Sequence, residues 1–466
     1  MKFHIENLGK IVKTEIDVND LTVICGPNSS NKTWIAYSIF HNLYFKHDET
    51  PNLLSSGIDK RELISGEFPT YTLDTSSPKF KILFDKLFDA YIKVSNHTLS
   101  ETFNTYREVF KGTSITTDID HHLKETIFTS ILSDEFDEEL VTVWEDVHVS
   151  SPENTSEYQI TFIDEDTEED EDELDEAICE IICQFIWRVS PDIRPFVITS
   201  ERVGSLVFQK DIDGATIKIS DELNTLLEKN RDNKDIRKVV RRLHQSTLGT
   251  RATLSTPVRK NLDAVRNAEN ELKKVSFLKE KHPSISDALN KIVKGKFEVE
   301  NSVLTFKSDD DKYELPITVA SSSIKSLFII DLYVNSLAKE NDLLIIDEPE
   351  LNLHPDNQRL IARVIARIAN AGIKVIITTH SDYLLRELNN CIMLSGRFEN
   401  KQDLMHKYNF KNEDILLKSQ VNAYTVEQDG TVSSMAVNDD GIDTKIFDNI
   451  IIDSNESQNE IYEELI

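Results

Sequence analysis

The sequence lacks any run of about 18 apolar residues, the length a membrane-spanning helix needs, so no membrane span and no membrane partner are expected. Its opening residues, MKFHIENLGKIVKTEI, have neither an apolar core nor a small-residue cleavage site, so secretion is not expected and the cytoplasm is the expected location. Cysteine is scarce: Cys25, Cys179, Cys183 and Cys391 are the four in 466 residues. Cys179 and Cys183 have the spacing of one helix face, but no second pair completes a zinc site, and all four read as reduced core residues. Internal repeats are absent. Basic residues are also short, with 52 Lys and Arg against 82 Asp and Glu and a net charge of −30. Such a surface repels nucleic acid at long range, because DNA affinity comes largely from basic side chains that displace counterions.

The charge is uneven. Between Asp134 and Glu176 stand about twenty acidic residues and no Lys or Arg, whereas Lys229 to Lys296 carries about eighteen basic residues against about seven acids. Two solvated surfaces account for this, and so does docking of one face on the other or on a charged partner. The low-complexity stretch DEDTEEDEDELDE at 164–176 reads as a solvated loop. Hydrophobic content of 39% and charged content of 29% are ordinary for a globular chain, and the length leaves room for two or three compact units with a large core.

Periodicity gives the elements. KFHIENL, KTEIDV and LTVIC read as strands, and 33–45 as an amphipathic helix. Residues 46–76 read as loop, 78–140 as helical, VTVW and YQITFI as strands, IICQFIWRV as helix and RPFVITS as strand. The stretches 222–245 and 258–281 are charged and helical, the second suggesting a short antiparallel arm. FEVENSVLTF and KYELPITV form a hairpin. From residue 321 onward strands and helices alternate: a helix to 337, the strand NDLLIID, a helix over 356–371, the strand KVIITTH and a short helix over 383–388. This order predicts an α/β fold with a mainly parallel sheet.

Four clusters carry chemistry. GPNSSNKT at 26–33 lies between a buried strand and a helix, the context of a phosphate-binding loop, where backbone N–H groups and the helix N-terminus hold phosphates. Asn28, Ser29, Ser30, Asn31, Lys32 and Thr33 are the binding residues; Lys32 supplies charge and the Thr33 hydroxyl a magnesium ligand. Asn31 stands where Gly usually precedes the Lys, and Asn tolerates left-handed backbone angles. LLIIDEPELNLHP at 343–355 puts Asp347 and Glu348 at a strand's C-terminal end, where ligands bind in open α/β sheets. Asp347 would hold Mg²⁺ and Glu348 would orient and deprotonate water. VIITTHS at 375–381 places His380 at the end of another strand, within reach of a γ-phosphate. ASSSIKSL at 320–327 opens a helix with Ser321, Ser322 and Ser323, either an anion-binding end or a plain serine cap.

Together these motifs resemble the ATP-binding heads of the ABC/SMC class, of the SMC, RecF and OLD kind. GPNSSNKT resembles Walker A, LLIIDEPE Walker B with its catalytic Glu, ELNLHP the D-loop, His380 the switch histidine and ASSSIKSL the signature motif, with Ser323 where Gly is usual. The combination LLIIDEPELNLHP followed by TTHSDYLL resembles the stand-alone bacterial AAA15/AAA21 group, and ITSERVG at 198–204 adds Arg202 as a nucleotide-site residue. Gln184 and Gln209 are the candidates for the Q-loop.

The resemblance implies a fold and an assembly. The fold is an ABC-type head with a mixed sheet and central parallel strands, split between 1–45 and 198–390. A helical and acidic insertion fills 46–197, a helical arm 222–282, and a small mixed segment follows over 391–466. The resemblance also implies ATP and Mg²⁺, Glu348 and His380 as catalytic residues, Thr33 and Asp347 as metal ligands, and a homodimer or higher oligomer in which Ser321 completes the partner's site. The segment after Asn390 is too short for a Toprim nuclease, so effector chemistry is expected from a separate protein. Stand-alone ATPases of this style resemble those of PARIS-type anti-phage systems, which work with a Toprim nuclease, and of Septu. That implies a sensor and scaffold released by a phage-encoded trigger. A RecF-like clamp that binds duplex DNA, a non-hydrolysing structural protein and a transporter ATPase are the other readings.

Overall fold

A computed structural model of the chain describes residues 1–48, 64–67, 70–74, 76–82, 84–85, 98–118, 147–150, 157–162, 193–214, 254–310 and 312–464. The acidic run at 164–176, the helical readings at 121–136, 181–189 and 222–245, the strand VTVW, Cys179, Cys183 and Gln184 lie outside the described residues.

Strands β1 (Lys2–Leu8) and β2 (Ile11–Asp17) form an antiparallel hairpin in which Phe3 faces Ile16 and Leu8 faces Ile11. Phe3 and Ile5 point inward because side chains alternate across a strand, and left-handed Asn7 (φ 54°) shifts the phase so that Leu8 is buried as well. Strand β3 (Leu21–Cys25) follows, buried at every position, and helix α1 (Lys32–Asp48) starts directly after the loop at 26–31. The rest of the central sheet comes from distant parts of the chain: β4 (Pro195–Ile198), β5 (Leu343–Asp347), β6 (Lys374–Thr379), β7 (Val421–Val426) and β8 (Val432–Met435). Their spatial order is β8-β7-β3-β6-β5-β4. Every pairing is parallel except β7 with β8, so the sheet is mixed with a parallel centre.

Parallel sheets are covered on both faces, which is why their strands read as continuous apolar runs. Here Ile24, Val197, Ile345 and Ile376 join a core with α1 and the β1–β2 hairpin. Val23, Ile198, Leu344, Ile346 and Ile377 face the other way, into a core with helices α2 (Ser322–Leu332), α3 (Pro355–Asn370) and α4 (Asp382–Met393). FEVENSVLTF, read as one arm of a hairpin with KYELPITV, instead folds on itself as Gly295–Glu300 against Val303–Ser308, turning at Asn301 and Ser302 in left-handed backbone, and Glu314–Pro316 adds a third strand.

Four stretches differ from the sequence reading. Residues 46–76 read as loop, but Ile64–Glu67 and Thr70–Asp74 are antiparallel strands. Within 78–140, read as helical, Ser114–Thr117 is a strand paired with β1; its β-branched residues suit a pleated surface, and Ile115 sits opposite Ile5 in the core. Within the 222–282 arm, the described part packs on the head. Leu262, Val265, Ala268 and Leu278 are buried, and Asn261 donates to the Val197 carbonyl of β4 at 2.6 Å. The small mixed segment at 391–466 supplies β7 and β8 to the central sheet. It is also tied down by charge: Arg367 of α3 donates to buried Asp414 at 2.6 Å, and Arg363 to the carbonyls of Tyr408 and Asn409. Such non-local pairing leaves no trace in local periodicity.

Among the described residues, no helix is long and apolar enough to cross a membrane. Cys25 and Cys391 are buried free thiols, and burial pushes the Cys25 thiol up to about 12 and Cys391 also upward. Gly26, at the exit of β3, has φ 145°, and a Cβ there would lie 2.3 Å from the Val426 carbonyl oxygen. Gly26→Ala should therefore destabilise the fold by about 2–4 kcal/mol, read from urea unfolding midpoints; an unchanged midpoint would mean that β7 does not press on this loop.

Candidate functional site

The parallel strands β3, β6 and β5 lie side by side, and their C-terminal ends put three loops in one place. Asp347 is in register with Thr378, and Thr379 with Cys25. The loop at 26–31 thus faces the ends of the strands that carry Asp347 and His380.

The Thr33 hydroxyl donates to Asp347 Oδ1 at 3.0 Å and approaches Oδ2 at 3.3 Å, a contact between residues 314 apart in sequence. Thr378 donates its hydroxyl to Asp347 Oδ1, and Tyr37, one helical turn after Thr33, reaches Oδ2 at 3.4 Å. Asp347 is 1% exposed, so its charge is held by three hydroxyls rather than by water. Lys32 Nζ donates to the carbonyls of Gly26 at 2.9 Å and Pro27 at 2.7 Å, which folds its ammonium back under the loop. Burial lowers the Lys32 pKa, opposed by the charges of Glu348 and Asp347.

The loop needs left-handed backbone at two positions. Ser29 has φ 62° and Asn31 has φ 73°. Asn accepts that region better than most residues, so Asn31 takes the conformation usually given to Gly. Helix α1 has no acidic residue in its first turn, which leaves its N-terminal partial positive charge open toward the cavity. The buried Ser30 hydroxyl has no hydrogen-bond partner among the described residues. A cavity of about 550 Å³ is lined by Asn28, Ser29, Ser30, Asn31, Lys32, Thr33, Trp34, Glu348 and His380.

A model of the AAA ATPase domain family, AAA_15, matches residues 1–385. The chain belongs to this family. No curated protein matches it. Among solved structures, it is similar to the Pyrococcus furiosus Smc head domain bound to the C-terminal domain of ScpA, with 12% identity over 96% of this chain and 98% of that one and a TM-score of 0.31. It is similar also to an SmcHead bound to the C-winged helix domain of ScpA (10% identity, 94% and 97% covered, TM-score 0.34) and to the SMC head domain from Thermotoga maritima (8%, 94% and 98%, 0.28). The superpositions are loose at these values.

In this AAA_15 chain the other expected site residues divide. Glu348 leaves β5 in the left-handed region, φ 51°. Its N–H donates to the Thr378 carbonyl at 3.1 Å and approaches the Thr378 hydroxyl at 3.2 Å. His380 Nδ1 lies 3.5 Å from Glu348 Oε1 and 3.6 Å from Glu350 Oε1. Ser321, Ser322 and Ser323 do not line the cavity. Ser321 caps α2, accepting from the Ile324 N–H at 3.3 Å, and Ser321 and Ser322 are exposed. Gln209 bonds to Asp213 and does not line the cavity.

Arg202, expected at the nucleotide, is 1% exposed and donates to four backbone carbonyls, those of Thr199, Ser326, Asp347 and Glu348; it is not among the residues that line the cavity.

Glu350 holds the His380 turn: its Oε1 accepts from the His380 N–H at 3.0 Å and from the Thr379 hydroxyl at 2.7 Å. Tyr37 and Trp34 escaped the sequence reading. Tyr37 was discoverable from its four-residue spacing to Thr33; Trp34 was not, because its place follows from stacking on Phe103 and Phe110.

The contact with Glu348 raises the His380 pKa above 6.5, and the same contact lowers Glu348 below 4.5. The histidine's share of stability is therefore complete below pH 6.5 and lost as pH rises through the raised value. The glutamate's share is present above pH 4.5 and lost as pH falls through the lowered one. Both groups are partly exposed, so the effect on stability is small. An NMR titration should place the His380 midpoint above 6.5, with Glu348→Gln moving it down; a midpoint indifferent to that change would break the pairing.

Proposed function

We propose that this chain binds and hydrolyses ATP with Mg²⁺, and that it acts as the sensor and scaffold subunit of a bacterial anti-phage complex that controls a separate effector. The hydrolytic half rests above all on one observation: Lys32, Thr33, Glu348 and His380 line one cavity although they are distant in sequence, and the Thr33 hydroxyl is hydrogen-bonded to the Asp347 carboxylate just behind it.

The residues present suit the substrate. Open loop N–H groups, an unpartnered Ser30 hydroxyl and the ammonium of Lys32 are donors for phosphate oxygens. Among the described residues, no cluster of three or more His, Cys, Asp or Glu could hold a metal alone. Mg²⁺ is commonly held by one or two carboxylates together with substrate phosphates, and the Thr33–Asp347 pair matches that donor set. When bound there it would neutralise charge building up on the phosphates. Glu348, kept ionised by His380, accepts the proton of the attacking water. His380, 3.5 Å from Glu348 Oε1, holds the Glu348 carboxylate in place. The exposed serines at the start of α2 stand apart from the chain's own cavity, which supports a dimer in which they complete the site of the partner copy.

The anti-phage half rests on motif resemblance: LLIIDEPELNLHP followed by TTHSDYLL is the pattern of stand-alone ATPases such as AriA of PARIS, which work with a Toprim nuclease and answer a phage-encoded trigger. A RecF- or SMC-like DNA-binding ATPase is the second reading, favoured by the basic bias of 229–296. Filter binding of duplex DNA across a salt series separates the two. A steep loss of binding with salt supports direct DNA contact, and no binding supports the sensor.

Phosphate release should be measurable for the wild type with Mg²⁺ and fall by about 10²–10⁴-fold in Glu348→Gln; equal rates would remove Glu348 from catalysis. Mixing Lys32→Ala subunits with Ser321→Arg subunits should restore part of the activity through one intact composite site, and no rescue would count against shared sites. The effector reading is tested by phage plaquing on cells carrying this gene with its neighbouring reading frame. Protection lost in Glu348→Gln supports it, and protection absent from the wild type overturns it.

A further inference from the structure

Arg202 is a positive charge in the interior, and among the described residues no carboxylate is hydrogen-bonded to it. Its Nε donates to the Ser326 carbonyl at 3.0 Å, Nη1 to Thr199 at 3.1 Å and Asp347 at 3.0 Å, and Nη2 to Glu348 at 2.8 Å, all main-chain acceptors. Burying a charge this way is costly unless it is well hydrogen-bonded and surrounded by opposite charge. Glu350, Asp347 and Glu348 supply that field, while burial still pulls the guanidinium down to about 10. The planar fork is what permits four carbonyls at once; a lysine ammonium, a point donor of three hydrogens, cannot match it.

The four acceptors belong to three elements. Thr199 ends β4. Asp347 and Glu348 form the exit of β5. Ser326 lies one turn inside α2, the helix capped by Ser321. Glu348 is in the left-handed region, where a non-glycine residue stays only if its surroundings hold it. Its peptides are held on both sides, the N–H by Thr378 and the carbonyl by Arg202.

We infer that Arg202 is a positioning residue that couples the Ser321 end of α2 to the Glu348 carboxylate. It touches no substrate. It fixes the strained turn that aims Glu348, and because the same guanidinium grips Ser326, a shift of α2 moves the Glu348 carbonyl. Engagement of the Ser321 end by a second copy is thereby transmitted to the water-activating group about the length of one side chain away. This inference rests on the ATPase reading above.

The test compares wild type with Arg202→Lys and Arg202→Met, using a fluorescent ATP analogue for binding and phosphate release for turnover. A wild type that neither binds nor hydrolyses ATP sinks the ATPase reading and this inference with it. With an active wild type, both variants should remain folded by thermal melt and bind the analogue with near wild-type affinity. Their kcat should fall at least about tenfold with KM little changed. Wild-type kcat per subunit should rise with protein concentration as dimers form, whereas the variants should stay flat at their residual rate. Wild-type turnover in Arg202→Lys, or a residual rate that still climbs with concentration, overturns the coupling. Should both variants unfold, hydrogen exchange on the wild type decides. ATP should protect 321–332 and 344–350 together, and protection of one stretch without the other overturns the inference.

Discussion

Everything at the candidate site depends on bringing Thr33 against Asp347. One is the first threonine of a helix near the beginning of the chain, the other the last residue of a strand near residue 350, and the only thing that aligns them is the insertion of β3 between β6 and β7. Parallel neighbours have their C-terminal ends on the same edge of the sheet, so a single strand order gathers the phosphate loop, the two carboxylates and the histidine. A strand order with β3 at the margin would leave the same motifs pointing at nothing.

Much of the surrounding structure serves to keep charged groups ionised in a poorly hydrated place. Asp347 is held by three hydroxyls, Lys32 by two carbonyls of its own loop, and Arg202 by four carbonyls from three elements. Such buried networks are stable only when nearly complete. The two incomplete members are informative. The Ser30 hydroxyl, buried in a residue that lines the cavity, has no partner among the described residues, and one oxygen of Glu350 is also unpartnered beneath His380. The first suits a site awaiting an anion. The second marks the histidine turn as the part of the network with the least redundancy.

Local pattern carried a good deal. Strand runs such as LTVIC, LLIID and KVIITT stand where alternation and apolar runs put them, and the phosphate loop was legible because its residue types answer directly to its chemistry. Asn31 is a case where residue physics anticipated a backbone angle. The failures share one cause. Ser114–Thr117 is a strand because Ile5 needs a neighbour, and the helices after Thr256 lie flat because β4 offers an apolar face. The last strands join the sheet because β3 has an open edge. Each was decided by a partner distant in sequence, which periodicity cannot see.

The sequence by itself determined which residues are chemically equipped: a loop with donors and a lysine, a strand ending in two acids, a strand ending in histidine, a helix opening on serines. It could not say which of these share one cavity, nor where the Arg202 guanidinium ends, because a motif shows only that an arginine is present. Tertiary structure settled both points. Backbone carbonyls beneath β5 and at α2 captured the guanidinium, and the order of parallel strands put Thr33 beside Asp347, since distances between elements depend on packing and not on proximity along the chain.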